Sequence, residues 1–74
     1  MVTSAQIRAA RGLLNWTVRD LASAAGVHRN TITRAETDAT GQGSARDAIR
    51  SALELAGVEF IEENGGGLGV RFKK

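Results

Sequence analysis

The side chains best suited to chemistry in this 74-residue sequence lie together in the segment HRNTITRAET, residues 28–37. Arg29 and Arg34 can each donate two parallel hydrogen bonds to guanine, and Asn30 can form a comparable two-bond contact with adenine. Thr33 adds a hydroxyl group to the same stretch. These residue types predict that the segment recognises base edges in duplex DNA.

Residues suited to a reaction or to metal binding are missing. The chain has no cysteine and a single histidine, His28, so it cannot assemble the ligand set of a zinc site. Asp20 and Glu54 offer carboxylates, but the sequence pairs neither with a nucleophile or a histidine base. The stretch GGGLG at residues 65–69 lacks the Lys-Ser/Thr of a phosphate-binding loop and predicts a turn. We therefore expect no enzyme activity, catalytic residue, cofactor, metal or small-molecule ligand.

The positive charge is concentrated in the first half of the chain. Residues 1–37 contain five arginines and two acidic residues, whereas residues 38–74 contain five basic and six acidic residues. A local basic surplus suits an anionic partner. No apolar run approaches the ~20 residues that span a bilayer, and the N-terminus lacks an apolar signal sequence. We expect a cytoplasmic protein without a membrane partner.

Capping boxes predict where the first two helices begin. Thr3 with Gln6, and Thr17 with Asp20, have the spacing at which two residues satisfy each other's backbone N–H groups. Gly26 then ends the second helix, because the sharp turn there needs a positive φ that glycine adopts without strain. The sequence predicts four helices, over about residues 4–14, 17–26, 28–36 and 44–56.

The third helix has few positions that face inward. Val27, Ile32 and Ala35 are spaced to meet a core, and most other residues of this helix are polar. Two helices joined at a glycine match the helix-turn-helix pattern, in which the second helix lies in the major groove of DNA. The polar side chains would then point away from the core.

The spacing of apolar residues changes in the last third of the chain, from the helical period to the period of two that is typical of strands. Ser44 is the predicted N-cap of the fourth helix, with Asp47 closing a third capping box, and Gly57 ends it. The stretches VEFIEE and LGVRF then alternate around the turn NGGG, which predicts a β-hairpin. The apolar residues of the hairpin should share one face: Val58, Phe60, Leu68, Val70 and Phe72.

The segment TVRDLASAAGVHRNTITRAE, residues 17–36, resembles the lambda-repressor-like (XRE, Cro-like) helix-turn-helix regulators. IRAAR at residues 7–11 is similar to the first helix of that family. The resemblance covers about residues 4–57. It implies a mainly α fold, with a four-helix DNA-binding domain over residues 1–57. The β-hairpin tail, over residues 58–74, lies beyond the resemblance, and we expect it to be a dimerisation element.

The resemblance also implies roles for individual residues. Base edges would be contacted by Arg29, Asn30, Thr33 and Arg34. Phosphates would be contacted by Thr17, His28 and Thr37. Arg11 and Glu36 match a pair that bridges the first and third helices beneath the DNA-facing surface. Two positions depart from the family pattern: Val18 replaces a frequent glutamine, and His28 replaces a serine that caps the third helix.

Two classes of function fit these observations. The first is a sequence-specific DNA-binding regulator of a bacterium or phage, a repressor or autoregulator associated with the nucleoid. The second is a protein-interaction module or antiactivator on a helix-turn-helix scaffold. The affinity of a DNA-binding protein for duplex DNA should fall steeply as the salt concentration rises. The exposed arginines favour the first class, because a protein-interaction face would contain more large apolar residues.

A homodimer is expected for two physical reasons. A chain of this size buries a thin core, and an isolated hairpin is marginal in water and leaves a strand edge unpaired. A two-fold dimer would also set two third helices about 34 Å apart, so that they bind a palindromic operator. We expect the hairpin to form the interface, with the fourth helix as the alternative. The expected interface residues are Val58, Phe60, Val70 and Phe72.

Overall fold

The computed structural model describes residues 2–37, 43–61 and 67–73. These residues form four helices and a two-stranded antiparallel sheet: α1 Ser4–Leu14, α2 Val18–Ala25, α3 Arg29–Thr37, α4 Gly43–Leu55, β1 Val58–Ile61 and β2 Gly69–Phe72. The predicted fold class, a mainly helical domain followed by a hairpin, is confirmed. Of the helices described, none has the length and hydropathy of a membrane-spanning segment.

Local hydrogen bonds explain where α1 and α2 begin. Thr3 Oγ1 accepts the N–H of Gln6 at 3.1 Å, and Gln6 Oε1 accepts the N–H of Thr3 at 2.9 Å. Thr17 and Asp20 repeat the arrangement at the start of α2, again at 3.1 and 2.9 Å. Both predicted capping boxes are therefore present, and each satisfies N–H groups that a helix start leaves unpaired.

Residues in the left-handed region end both of these helices. Asn15 has a φ of 57° after α1, and Gly26 has a φ of 71° after α2. In each case the backbone N–H donates to the carbonyls three and four residues earlier. Glycine adopts this conformation without strain, and asparagine adopts it more readily than most other residues. The chain therefore turns sharply between α2 and α3.

A single core joins the helices to the hairpin. Its fully buried large side chains come from five elements: Ile7, Leu21, Ile32, Ile49, Leu53 and Val58. Trp16 and Val27 are partly buried and pack against this cluster. For Val27, the sequence predicts this position. Each fully buried side chain of this size contributes roughly 1.5–3 kcal/mol, so these few residues supply much of the apolar stabilisation.

The hairpin presents one apolar face. β1 and β2 pair with Val58 opposite Phe72 and Phe60 opposite Val70. Opposed residues in an antiparallel pair point to the same side, so these four side chains share a face. Phe60 and Val70 are partly buried against the core. The predicted turn NGGG falls largely on residues 62–66, which lie outside the described residues.

Gln6 ties the hairpin to α1. Its buried side chain donates from Nε2 to the carbonyls of Ile61 and Gly69, at 3.3 and 3.0 Å. The same side chain closes the capping box of α1 through its Oε1 atom. The sequence predicts the box but not this link, because the two strand residues lie 55 and 63 positions away.

The predicted N-cap of α4 is wrong. The helix begins at Gly43, so Ser44 lies inside the first turn and is not the N-cap. Arg46 supplies a physical reason, because its buried guanidinium donates to the carbonyls of Val2 and Ala35 at 3.1 and 3.2 Å. These long-range bonds hold the first turn in place and outweigh a cap preference worth about 1 kcal/mol.

Candidate nucleic-acid interface

α3 has a buried face and an exposed face. Ile32 and Ala35 are fully buried and anchor the helix to the core. The four side chains predicted to reach bases are all exposed: Arg29, Asn30, Thr33 and Arg34. The structure therefore brings these four residues together on the outer side of one short helix.

The exposed side chains of α3 have few partners within the protein. In the described part of the chain, the side chains of Arg29, Asn30 and Arg34 make no hydrogen bond or ion pair. Thr33 Oγ1 donates to the carbonyl of Arg29 at 3.3 Å, and its oxygen can still accept. The donors of the two arginines and the asparagine can thus bind a polar ligand without breaking an internal bond.

His28 acts as the N-cap of α3, which begins one residue later than the sequence predicts. Its Nδ1 accepts the N–H of Asn30 at 3.0 Å, and its carbonyl accepts the N–H of Thr31 at 2.9 Å. An imidazole that accepts through Nδ1 carries its proton on Nε2 in the neutral form. The exposed ring therefore has one N–H donor left for a phosphate.

Thr17 and Thr37, the other residues predicted near phosphates, are also exposed. Thr17 Oγ1 accepts the N–H of Asp20, so its hydroxyl proton remains available. Thr37 Oγ1 donates its proton to the carbonyl of Thr33 at 2.9 Å. A phosphate accepts hydrogen bonds and donates none, so Thr17 offers it a donor in this conformation and the Thr37 hydroxyl does not.

An ion pair beneath α3 joins it to α1. Arg11 Nε lies 2.8 Å from Glu36 Oε2, and Arg11 Nη2 donates to Glu36 Oε1 at 3.1 Å, which gives the two-pronged geometry of strong pairs. The side chain of Glu36 is 6% exposed and that of Arg11 is 26% exposed. The hydrogen bond to Glu36, together with its negative charge, raises the pKa of Arg11, although burial acts in the opposite direction.

Further donors hold the C-terminal carbonyls of α3. Ser4 Oγ and Arg46 Nη2 both donate to the carbonyl of Ala35, at 2.6 and 3.2 Å. Arg8 donates to the carbonyl of Glu36. Carbonyls at a helix C-terminus carry the negative end of the helix dipole, so cationic donors suit them. Sequence reasoning missed these three contacts, because no short-range spacing marks them.

Comparison with protein families assigns this arrangement of helices. Residues 7–42 match the family model described as helix-turn-helix, of the lambda-repressor-like (XRE) type. This chain carries a lambda-repressor-like helix-turn-helix domain. The family is one of DNA-binding regulators and is not an enzyme family. No curated protein matched the chain.

Within this helix-turn-helix domain, α2 and α3 are the two helices of the motif. Gly26, Val27 and His28 connect them, and α3 corresponds to the helix that such domains lay in the major groove. The exposed arginines and asparagine therefore lie on the helix that contacts bases in this class of domain.

The residues predicted to form a dimer interface lie at different depths in the helix-turn-helix protein. Val58 is fully buried in the core, and Phe60 and Val70 are partly buried against it. Phe72 is 53% exposed, and Leu55, at the end of α4, is 91% exposed. Leu68, which was predicted on the same face and lies just before β2, is 47% exposed. The parts of the hairpin that are open to another molecule are therefore those around Phe72 and Leu68.

Proposed function

We propose that this chain is a sequence-specific transcriptional regulator, a repressor or autoregulator, that places α3 in the major groove of duplex DNA. The observation that carries the proposal is the exposed row of Arg29, Asn30 and Arg34, whose side chains bind nothing else in the described part of the chain. The helix beneath them is held at both ends, which keeps the row in one orientation. Such a protein would act in a bacterial cytoplasm, on DNA of the host or of a phage.

Each side chain of the row suits a particular partner. Arg29 and Arg34 can bind guanine O6 and N7, and Asn30 can bind adenine N6 and N7. Thr33 presents a hydroxyl oxygen and a methyl group, which suits contact with thymine or a base amino group. Thr17, His28 and Thr37 would lie toward phosphates, with Thr37 first releasing its bond to a backbone carbonyl.

A homodimer on a palindromic operator is the second part of the proposal. Leu55 precedes Val58 by three residues, and Val58 pairs in register with Phe72. The exposed ends of α4 and of the hairpin therefore belong to the same part of the molecule, so both can contribute to one interface. Phe60 and Val70 would complete it from the partly buried side, with Val58 beneath them.

Selection of bound sequences from random duplex DNA tests the proposal. The expected result is a palindrome whose half-site centres lie about 10–10.5 base pairs apart, because a two-fold dimer sets its reading helices one helical turn apart. Enrichment of a single unrepeated half-site would remove the dimer from the proposal. Recovery of no preferred sequence would remove sequence-specific recognition.

The dimer has its own test in sedimentation. Phe72→Glu and Leu55→Glu each place a charge on an exposed apolar position and should convert a dimer to a monomer, because an unpaired charge in an interface is strongly unfavourable. Leu13→Glu is a matched control on α1, where Leu13 is 36% exposed. A dimer that persists in both variants would contradict an interface at this end of the molecule.

The same exposed apolar residues favour a second candidate function. Leu55 and Phe72 are large and open to solvent, which suits a module that binds another protein through a helix-turn-helix scaffold, as an antiactivator would. Titration with duplex DNA at increasing salt separates the two candidates. A DNA-binding protein loses affinity steeply as salt rises, whereas a protein-interaction module binds no duplex.

A further inference from the structure

An open depression lies where α2 meets α3. It has a volume of about 300 Å³ and is lined by Arg19, Ala22, Val27, His28 and Arg29. Two arginines and an imidazole therefore face one small space, and none of the lining residues is acidic. A water molecule occupies about 30 Å³ in the liquid, so the depression has room for a phosphate group with several bound waters.

Of the two arginines that line the depression, Arg19 is the one outside the base-reading row. It is exposed in the first turn of α2, and within the described residues its guanidinium makes no hydrogen bond or ion pair. The residues on either side are occupied, since Val18 packs against the core and Asp20 closes the capping box. In the first turn of α2, the side chain with positive charge and spare donors is therefore Arg19.

His28 adds a donor of defined direction to the same depression. Because its Nδ1 already accepts the N–H of Asn30, the neutral ring offers Nε2–H to a ligand. Arginine binds phosphate through two parallel N–H groups, and such charge-assisted bonds are about twice as strong as neutral ones. An anion in the depression would thus receive a charged donor from α2 and a neutral donor from the N-cap of α3.

We propose that Arg19 and His28 bind a phosphodiester of the DNA backbone, with Arg19 supplying the charge. The inference rests on the proposed function and adds a contact for Arg19 beside the base-reading row. Arg29 lines the same depression and belongs to that row, so a phosphate bound here lies at the edge of the groove that α3 enters. Phosphate contacts fix the register of a protein on the duplex and carry no sequence information directly.

The salt dependence of DNA binding tests this site. Fluorescence anisotropy measures the affinity of wild type and Arg19→Gln, between about 50 and 200 mM KCl, for a labelled duplex pool of random sequence and for the selected duplex. Loss of one phosphate contact reduces the slope of log affinity against log salt by ~0.9. Across this range the affinity advantage of wild type over Arg19→Gln should therefore fall about 3.5-fold for each bound subunit, on both duplexes. For the proposed dimer, which loses one contact in each subunit, the fall should be about 12-fold.

Two further variants complete the design. Arg71→Gln removes the same charge from an exposed pair on the hairpin and should keep the wild-type slope. Arg19→Lys retains the charge and should restore most of the slope that Arg19→Gln loses. The base preferences obtained by selection should be the same for Arg19→Gln and wild type, because the contact is with the backbone.

Three results would contradict the phosphate site, and one of them would also contradict the proposed function. Equal slopes for wild type and Arg19→Gln, in proteins with equal melting temperatures, overturn the phosphate site and leave the proposed function in place. A changed base preference in Arg19→Gln also overturns it, since that result identifies a base contact. If wild type binds no duplex at all, the proposed function fails, and the phosphate site fails with it.

Discussion

The two sides of α3 differ in what their arginines bind. Beneath the helix, Arg11 is paired with Glu36 and Arg8 donates to a carbonyl at the helix end. On the outer side, Arg29 and Arg34 make no hydrogen bond or ion pair within the described part of the chain. The same residue type is therefore structural where a carboxylate or a helix carbonyl faces it, and is available to a ligand where solvent faces it.

This difference separates stability from binding. Substitutions beneath α3 should change the free energy of unfolding, because they break bonds that hold the helix to α1 and α4. Substitutions of Arg29 and Arg34 on the outer side should change DNA affinity and leave unfolding unaltered, because these two side chains have no partner within the described residues. Single variants on either side therefore test whether stability and DNA binding depend on different arginines.

The largest effect is expected from Glu36→Ala. The change leaves Arg11 beneath the helix without its carboxylate, so the free energy of unfolding should fall by about 3 kcal/mol. For a domain of this size that lowers the melting temperature by more than ~10 °C. Glu59→Ala is the control, because it breaks the exposed Arg71–Glu59 pair and should change melting little. If Glu36→Ala melts at the same temperature as wild type, the Arg11–Glu36 pair beneath α3 has no structural role.

Arg34→Ala should have the next largest effect, on binding alone. Removing an arginine that is proposed to contact a base should weaken binding to the selected duplex by about 1–3 kcal/mol and relax the preference at one base position. Thermal melting should match wild type, since the Arg34 side chain has no partner in the described residues. Arg29→Ala is expected to behave in the same way at a different position. Equal losses on every sequence would show that these arginines contact only the backbone.

A smaller change in stability is expected from His28→Ala. The substitution removes the acceptor for the Asn30 N–H at the start of α3, and loss of an N-cap costs about 1 kcal/mol. His28→Asn keeps a capping oxygen and should recover most of that stability in urea unfolding. If His28→Ala unfolds at the same urea concentration as wild type, the His28 ring contributes nothing as a cap.

The smallest effect is a pH dependence on the hairpin. The hydrogen bond from Arg71, together with its charge, lowers the pKa of Glu59 below its usual value of 4.5. Because the pKa of Glu59 is lower in the folded state, the pair stabilises the fold at pH values above the usual pKa. This stabilisation is lost as the pH falls through the lowered pKa of the folded state. The difference in melting temperature between wild type and Arg71→Gln should therefore narrow between pH 7 and about pH 3. A difference that does not change with pH would contradict the pairing.

Short-range features of the fold could be predicted from the sequence because short-range rules govern them. The pairs Thr3–Gln6 and Thr17–Asp20 have capping-box spacing, and both form. Gly26 adopts the positive φ that the turn requires. The exposed residues of α3 follow from the few apolar positions on that helix. In each case the signal and the structure involve residues within a few positions of each other.

Long-range features could not be predicted in the same way. The bonds from Gln6 to both strands, and from Ser4 to the carbonyl of Ala35, join residues that share no sequence period. The depression that contains Arg19 exists only because two helices meet there. Burial of Val58 in the core likewise depends on how the hairpin folds back, which alternation alone does not determine.

The position of α1 between the hairpin and α3 has a consequence for operator architecture. Gln6 holds both strands, and Arg11 holds α3, only ~7.5 Å farther along the same helix. In the proposed dimer, α1 is then a rigid spacer between the subunit contact and the reading helix. Each base pair inserted between half-sites moves one half-site by ~3.4 Å and rotates it by ~35°. A rigid spacer cannot adjust to this shift or this rotation. The dimer would therefore bind operators with one number of central base pairs more tightly than others, although it does not contact those base pairs.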